Sequence, residues 1–138
     1  MKLVIDTNVI VSGFLWKGIP SRILDLIKAN SWQLCLTPKL LEETERVLHY
    51  ERLLIPLFLS GKSTNEIIES LEQTGVVLPD CRGLKIIKED PTDNIILGAG
   101  LSHNVDYIIS GDKHLLKLKS FQDVLIVSPR QFLNVIKR

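Results

Sequence analysis

Apolar positions along this chain recur at two periods, and the alternation between those periods orders its elements. Residues 2–5 form a short apolar run that ends at Asp6, which predicts a buried first strand. Ile10, Phe14 and Leu15, then Ile23, Leu24, Leu26 and Ile27, return at helical spacing, and Pro20-Ser21 suits the start of the second of these helices. Residues 32–36 predict the next strand, closed by Thr37-Pro38, and a helix follows over 39–50 with Leu40, Leu41, Val47 and Leu48 turned inward. Ser63-Thr64-Asn65-Glu66 has the spacing of a capping box and opens a helix carrying Ile67, Ile68 and Leu71. Residues 76–78 and 84–87 are short β-like runs, and Pro91 opens a helix through Ile95, Ile96, Ala99 and Leu101. Residues 107–110 predict a strand, 115–118 a helical turn and 125–127 a final strand, before Pro129 starts a last helix with Phe132, Leu133 and Ile136.

Strands alternating with helices imply an α/β fold in three layers, a mainly parallel central sheet with helices on both faces. The near-continuous apolar strands agree with burial on both sides. No internal repeat, linker or low-complexity tract interrupts residues 1–138, so a single domain is expected. In such sheets the ligand site lies beyond the carboxyl ends of the strands, where the strand order reverses.

Composition changes this picture little. The apolar share of 45% and the charged share of 24% are ordinary for a globular chain of 138 residues, and exclude a disordered one. Cys35 and Cys81 lie far apart, each in or beside an apolar run, and read as buried reduced thiols. No stretch approaches the roughly 18 apolar residues of a membrane span, and residues 2–5 are too short for a signal-peptide core. A cytoplasmic protein with no membrane partner is expected. The net charge of +1 supplies no overall field for nucleic acid, although a near-neutral total can hide a basic face beside an acidic pocket.

Candidate chemistry sits where the strand rule points. Asp6 follows the first strand in Val4-Ile5-Asp6-Thr7-Asn8, and Asp112 follows Ile108-Ile109 in Ser110-Gly111-Asp112. Glu43 and Asp93 lie at or near helix starts that can face the same edge. Singly, each has a plainer explanation. Asp112 and Asp90 suit helix N-caps, and Glu43 has Glu42 and Glu45 as solvated neighbours. Asp6 is the exception, because a carboxylate capping a buried strand is partly desolvated.

Together the plainer readings need four coincidences. Converging carboxylates repel, so some must protonate or a cation must join them. An all-oxygen ligand set suits a hard divalent ion such as Mg²⁺ or Mn²⁺, and a phosphodiester is the natural substrate for such a centre. Asn8 and Ser110 suit supporting roles beside the carboxylates, as turn and cap residues or as hydrogen-bond partners. Asp90 reads first as the cap of the Asp93 helix.

The Asp6-Thr7-Asn8 motif, the helical Glu43, Asp90-Pro91-Thr92-Asp93-Asn94 and Ser110-Gly111-Asp112 resemble, in this order, the PIN-domain ribonucleases. The resemblance covers nearly the whole chain. It ends in Ser128-Pro129-Arg130-Gln131-Phe132-Leu133, which looks like the subgroup of toxin components of toxin–antitoxin pairs. It implies a PIN-like doubly wound sheet, Mg²⁺ or Mn²⁺, cleavage of single-stranded RNA, an antitoxin partner and a homodimer. The family's acidic positions carry over onto Asp6, Glu43, Asp93 and Asp112. The family spacing selects Glu43 over Glu42.

Other motifs fall away. Gly61-Lys62-Ser63 resembles the end of a phosphate-binding loop, but the glycine such a loop needs is Pro56 here. His49, His103 and His114 lack the partners of a zinc site, and Ser12 and Ser21 have no evident base. An aspartyl-phosphate phosphatase using Asp6 would want a second aspartate two residues on, where Asn8 stands. A degenerate module that binds RNA or protein without cutting is the other rival, and the four retained carboxylates argue against it. For RNA, Lys17, Arg22, Lys39, Arg46, Arg52, Lys113, Lys117 and Lys119 are candidate phosphate contacts, and Trp16 suits a core or dimer-interface role before a base-stacking one.

Overall fold

The computed structural model describes residues 1–29, 32–80 and 91–136. The expected strand at 84–87, together with Cys81 and Asp90, lies outside the described residues. Strand β1 (Lys2–Ile5) leads into helices α1 (Thr7–Leu15) and α2 (Ile19–Ala29), then β2 (Gln33–Leu36) and α3 (Pro38–Leu48). A 3-10 turn (Glu51–Leu53), α4 (Leu54–Ser60) and α5 (Thr64–Thr74) precede the short β3 (Val76–Val77). After it come α6 (Pro91–Ser102), β4 (Tyr107–Ile109), α7 (Lys113–Leu118), β5 (Ser120–Phe121), β6 (Val124–Val127) and α8 (Pro129–Ile136).

Among the described residues, the strands form one sheet in the order β3-β2-β1-β4-β6-β5. Pairing is parallel from β3 across to β6 and antiparallel only between β5 and β6. Leu3, Val4 and Ile5 are all fully buried. Successive strand side chains point to opposite faces, so helices must cover both. The chain runs outward from β1 through β2 to β3, then returns to lay β4 on the other side of β1. The reversal of strand order therefore falls between β1 and β4, and the register Ile5↔Ile109 brings their carboxyl ends level.

Local chemistry explains the element starts. Thr37 caps α3, its hydroxyl accepting the Leu40 N–H at 3.2 Å, with Pro38 at the first helical position. Ser63 and Glu66 form the reciprocal capping box of α5. Gly100 allows a close approach, because a Cβ there would stand 2.8 Å from Ile108 Cδ1, so α6 lies directly on β4. Trp32, Tyr107 and Phe132 close one side of the core, with Phe132 edge-on to Trp32 at 5.1 Å and to Tyr107 at 5.7 Å between ring centres.

Two features carry no period that the sequence could reveal. Residues 51–60 form the 3-10 turn and α4, yet α4 buries none of its side chains. Leu54, Ile55, Phe58 and Leu59 are more than half exposed, so their apolar pattern does not mark a core face. The edge strand β5 is only two residues long, too short for alternation to show. No helix among the described residues is long and apolar enough to cross a membrane.

Candidate active site

The edge where strand order reverses is built from two chain segments that leave adjacent parallel strands together. Asp6 prolongs β1, its N–H donating to the Ile109 carbonyl at 2.8 Å, and its own carbonyl accepts the Ile10 N–H to begin α1. Ser110 prolongs β4, its N–H donating to the Val127 carbonyl at 3.0 Å. These main-chain bonds hold the side chains of Asp6 and Ser110 side by side. Ser110 Oγ donates to Asp6 Oδ2 at 2.7 Å and accepts the Asp112 N–H at 3.0 Å. The serine proton is thereby committed to the Asp6 carboxylate.

Burial pushes the Asp6 carboxyl above its ordinary pKa. The Ser110 hydrogen bond opposes the shift, the negative charge of Asp112 adds to it, and the backbone amides of Asn8 and Thr7 pull it back down. Asp6 is only 4% exposed, in keeping with a dominant desolvation cost. Asp112 is the N-cap of α7, accepting the His114 N–H through Oδ1 at 2.7 Å. The capping role expected of Asp112 is therefore real, and it leaves the side chain lining the same pocket as Asp6. That pocket, of about 270 Å³, is also lined by Asn8, Val9, Ser12 and Pro20. Asn8 and Ser12 are one helical step apart on α1, so the face that presents one presents the other.

Glu43 and Asp93 are placed differently. Glu43 points into the protein from α3, buried and paired with Arg46 one turn further on, whereas Glu42 is exposed. Asp93 lies buried in the first turn of α6, where the helix dipole favours a negative charge. Helix α6 packs on β1, so Asp93 belongs to an element that meets the Asp6 strand, whereas Glu43 reaches this region through the packing of α3 on α1 and α6. Neither lines the pocket that Asp6 and Asp112 share. Among the described residues, no three Asp, Glu, His or Cys side chains stand close enough together to hold a metal ion. Ser12 has no evident base in the sequence, and its helical step to Asn8 is what brings it to the pocket.

A hard cation fits the donor chemistry of this pocket. The side chains of Asp6, Asp112 and Asn8, all able to offer oxygen, line one space, and the charge of the buried Asp6 is disfavoured both by desolvation and by its neighbour. A positive ion would relieve both penalties at once.

Comparison with known proteins agrees with this architecture. The family model described as PIN domain matches residues 2–114 of the chain. Among solved structures, a chain of VapBC2 from Rickettsia felis, crystallised bound to a DNA fragment from the promoter of its components, superposes with a TM-score of 0.62. The likeness covers 93% of this chain and 98% of that one at 11% sequence identity, and so concerns the fold alone. No curated protein sequence matches the chain.

Proposed function

The chain belongs to the PIN-domain family, and we propose that it is a metal-dependent endoribonuclease that hydrolyses phosphodiester bonds of single-stranded RNA in the cytoplasm. The observation that carries this reading is the convergence of Asp6 and Asp112 on one pocket at the reversal of strand order, joined through Ser110. We assign the catalytic and metal-holding roles to Asp6, Glu43, Asp93 and Asp112, with Asn8, Ser110 and Asp90 in support.

Mg²⁺ or Mn²⁺ bound there would supply a Lewis acid for the phosphoryl oxygen and lower the pKa of a water. The protein's own part is orientation. Ser110 holds the Asp6 carboxylate in one rotamer and favours its charged form, which is the form that binds a cation. The α7 cap fixes the direction of Asp112, and the first turn of α1 presents Asn8 beside Asp6. Arg46, paired with Glu43, offsets the charge of that buried carboxylate.

A toxin role with a cognate antitoxin, and a homodimer, belong to the same proposal. The resemblance of the 128–133 segment to the toxin subgroup supports the role, and the fold shared with VapBC2 supports a protein partner. A second reading, a PIN-like module that binds RNA or protein without cutting, is favoured by one observation, the lack of a three-residue metal cluster among the described residues.

The deciding experiment is incubation of a mixed single-stranded RNA pool with purified protein in Mg²⁺, Mn²⁺ or EDTA, beside Asp6→Asn. Cutting that needs the metal and vanishes in the variant supports the nuclease. RNA affinity without cutting under any condition supports the binding module.

A further inference from the structure

The carboxylate pocket does not end at Ser12. A second cavity of about 350 Å³ is lined by Asn8 and Ser12 again, and by Trp16, Val47, Arg52 and Leu53. Asn8 and Ser12 lie four residues apart on α1, and Trp16, four further on, is its C-cap with its N–H bonded to the Ser12 carbonyl; all three line this cavity and so form a single stripe. The stripe runs about 12 Å at the helical rise of 1.5 Å per residue, which a nucleic-acid strand covers in three or four stacked steps of about 3.4 Å. Polar side chains lie at the pocket end. At the far end are an indole that is 49% exposed and a guanidinium.

Resting on the nuclease reading above, we propose that this stripe is the path of the substrate strand: a single-stranded RNA leaves the Asp6–Asp112 pocket past Asn8 and Ser12, stacks a base on Trp16 and sets a phosphate against Arg52. An acidic pocket repels a polyanion, and the net charge of +1 offers no general attraction, so a cation placed a few nucleotides away is needed to hold the strand. Arg52 is exposed and sits over the Tyr50 ring at 5.2 Å, which keeps its planar head at the cavity rim. An indole accepts any base on its face, so this subsite adds affinity and length preference without reading sequence. A protein partner is better matched by the neighbouring α4, where Leu54, Ile55, Phe58 and Leu59 are exposed with no cation among them.

The test is binding, kept apart from catalysis. Fluorescein-labelled RNA octamer and trimer are titrated in EDTA with wild-type protein, Trp16→Ala, Trp16→Phe and Arg52→Ala, each first checked for a native thermal melt and for its mass by light scattering. Wild-type protein should bind the octamer more tightly than the trimer. Trp16→Ala should weaken octamer binding about five- to 150-fold, the worth of one stacked base, and Trp16→Phe should keep most of it. Arg52→Ala should flatten the slope of log affinity against log salt by about 0.7, one phosphate contact on a single strand.

Octamer affinity within twofold of wild type in Trp16→Ala would overturn the proposal, as would equal affinity for octamer and trimer. A change of oligomeric mass in Trp16→Ala with RNA affinity intact would also overturn it and assign the surface to a protein. The nuclease reading is judged separately by cleavage in Mg²⁺ or Mn²⁺. Trp16-dependent binding without cutting leaves the strand path standing and removes the nuclease.

Discussion

Ser110 Oγ lies 2.7 Å from Asp6 Oδ2 and accepts the Asp112 N–H at 3.0 Å, so one hydroxyl ties together the two carboxylates of the candidate site. The serine acts as donor to one segment and acceptor from the other, which neither alanine nor cysteine can reproduce with the same strength. Ser110→Ala should therefore leave the fold intact and lower divalent-ion affinity or activity about 10- to 100-fold, as loss of a hydrogen-bond partner of a metal ligand does. Calorimetric titration with Mn²⁺ measures it. Unchanged Mn²⁺ affinity together with unchanged cleavage would show that the hydrogen bond serves folding only.

Asp6 links the site to stability. The folded chain holds the Asp6 proton more tightly than the unfolded chain does, chiefly because burial disfavours the charge. Its contribution to stability is then fully present below the unfolded pKa and is lost as pH rises through the raised folded value. At neutral pH without divalent ions, Asp6→Asn should melt at a higher temperature than wild type, and that advantage should disappear in acid. Added Mn²⁺ should raise the wild-type Tm and leave Asp6→Asn unmoved. Melting curves across pH, with and without Mn²⁺, check all three, and a lower Tm for Asp6→Asn at pH 7 contradicts the account.

Glu42 and Glu43 form a natural control pair. Glu43 is 6% exposed and paired with Arg46, whereas its neighbour Glu42 is exposed. Glu43→Gln should abolish cleavage, and Glu42→Gln should stay within about twofold of wild type, because a solvated charge on a helix surface contributes little. Kinetics on the same RNA decide it. Equal activity of the two variants would remove Glu43 from the site.

Gly100 tests the packing that carries Asp93. A methyl at this position meets Ile108 Cδ1 at 2.8 Å, so Gly100→Ala must push α6 off β4 or move Ile108. The variant should lose about 1–3 kcal/mol, the usual result of overpacking a closed core. Urea denaturation measures the loss. A gain in stability would mean that Ile108 swings aside freely and that the helix-favouring effect of alanine prevails.

Much of this protein was written in local pattern. The strands at residues 2–5, 33–36 and 107–109 were legible because burial on both faces leaves them almost continuously apolar, and the capping box at Ser63 because it needs only two residues three apart. The helix period alone left Glu42 and Glu43 open; the spacing of the family it resembles selected Glu43, which is the buried one of the two. Helix α4 was not, because its apolar residues face outward and follow no rule of core burial. The two-residue β5 exists only through its pairing with β6.

At the site, local pattern was enough to say which residues end the strands, and hence that Asp6 and Asp112 would stand at the carboxyl edge of the sheet. It could not determine that these two share a pocket with Ser12, that Ser110 spends its proton on Asp6, or that Trp16 lies open beside Arg52. Those relations join residues about a hundred positions apart, or set the facing of one helix against another. They come into being only when β4 is laid against β1, since parallel pairing places the carboxyl ends of distant segments side by side.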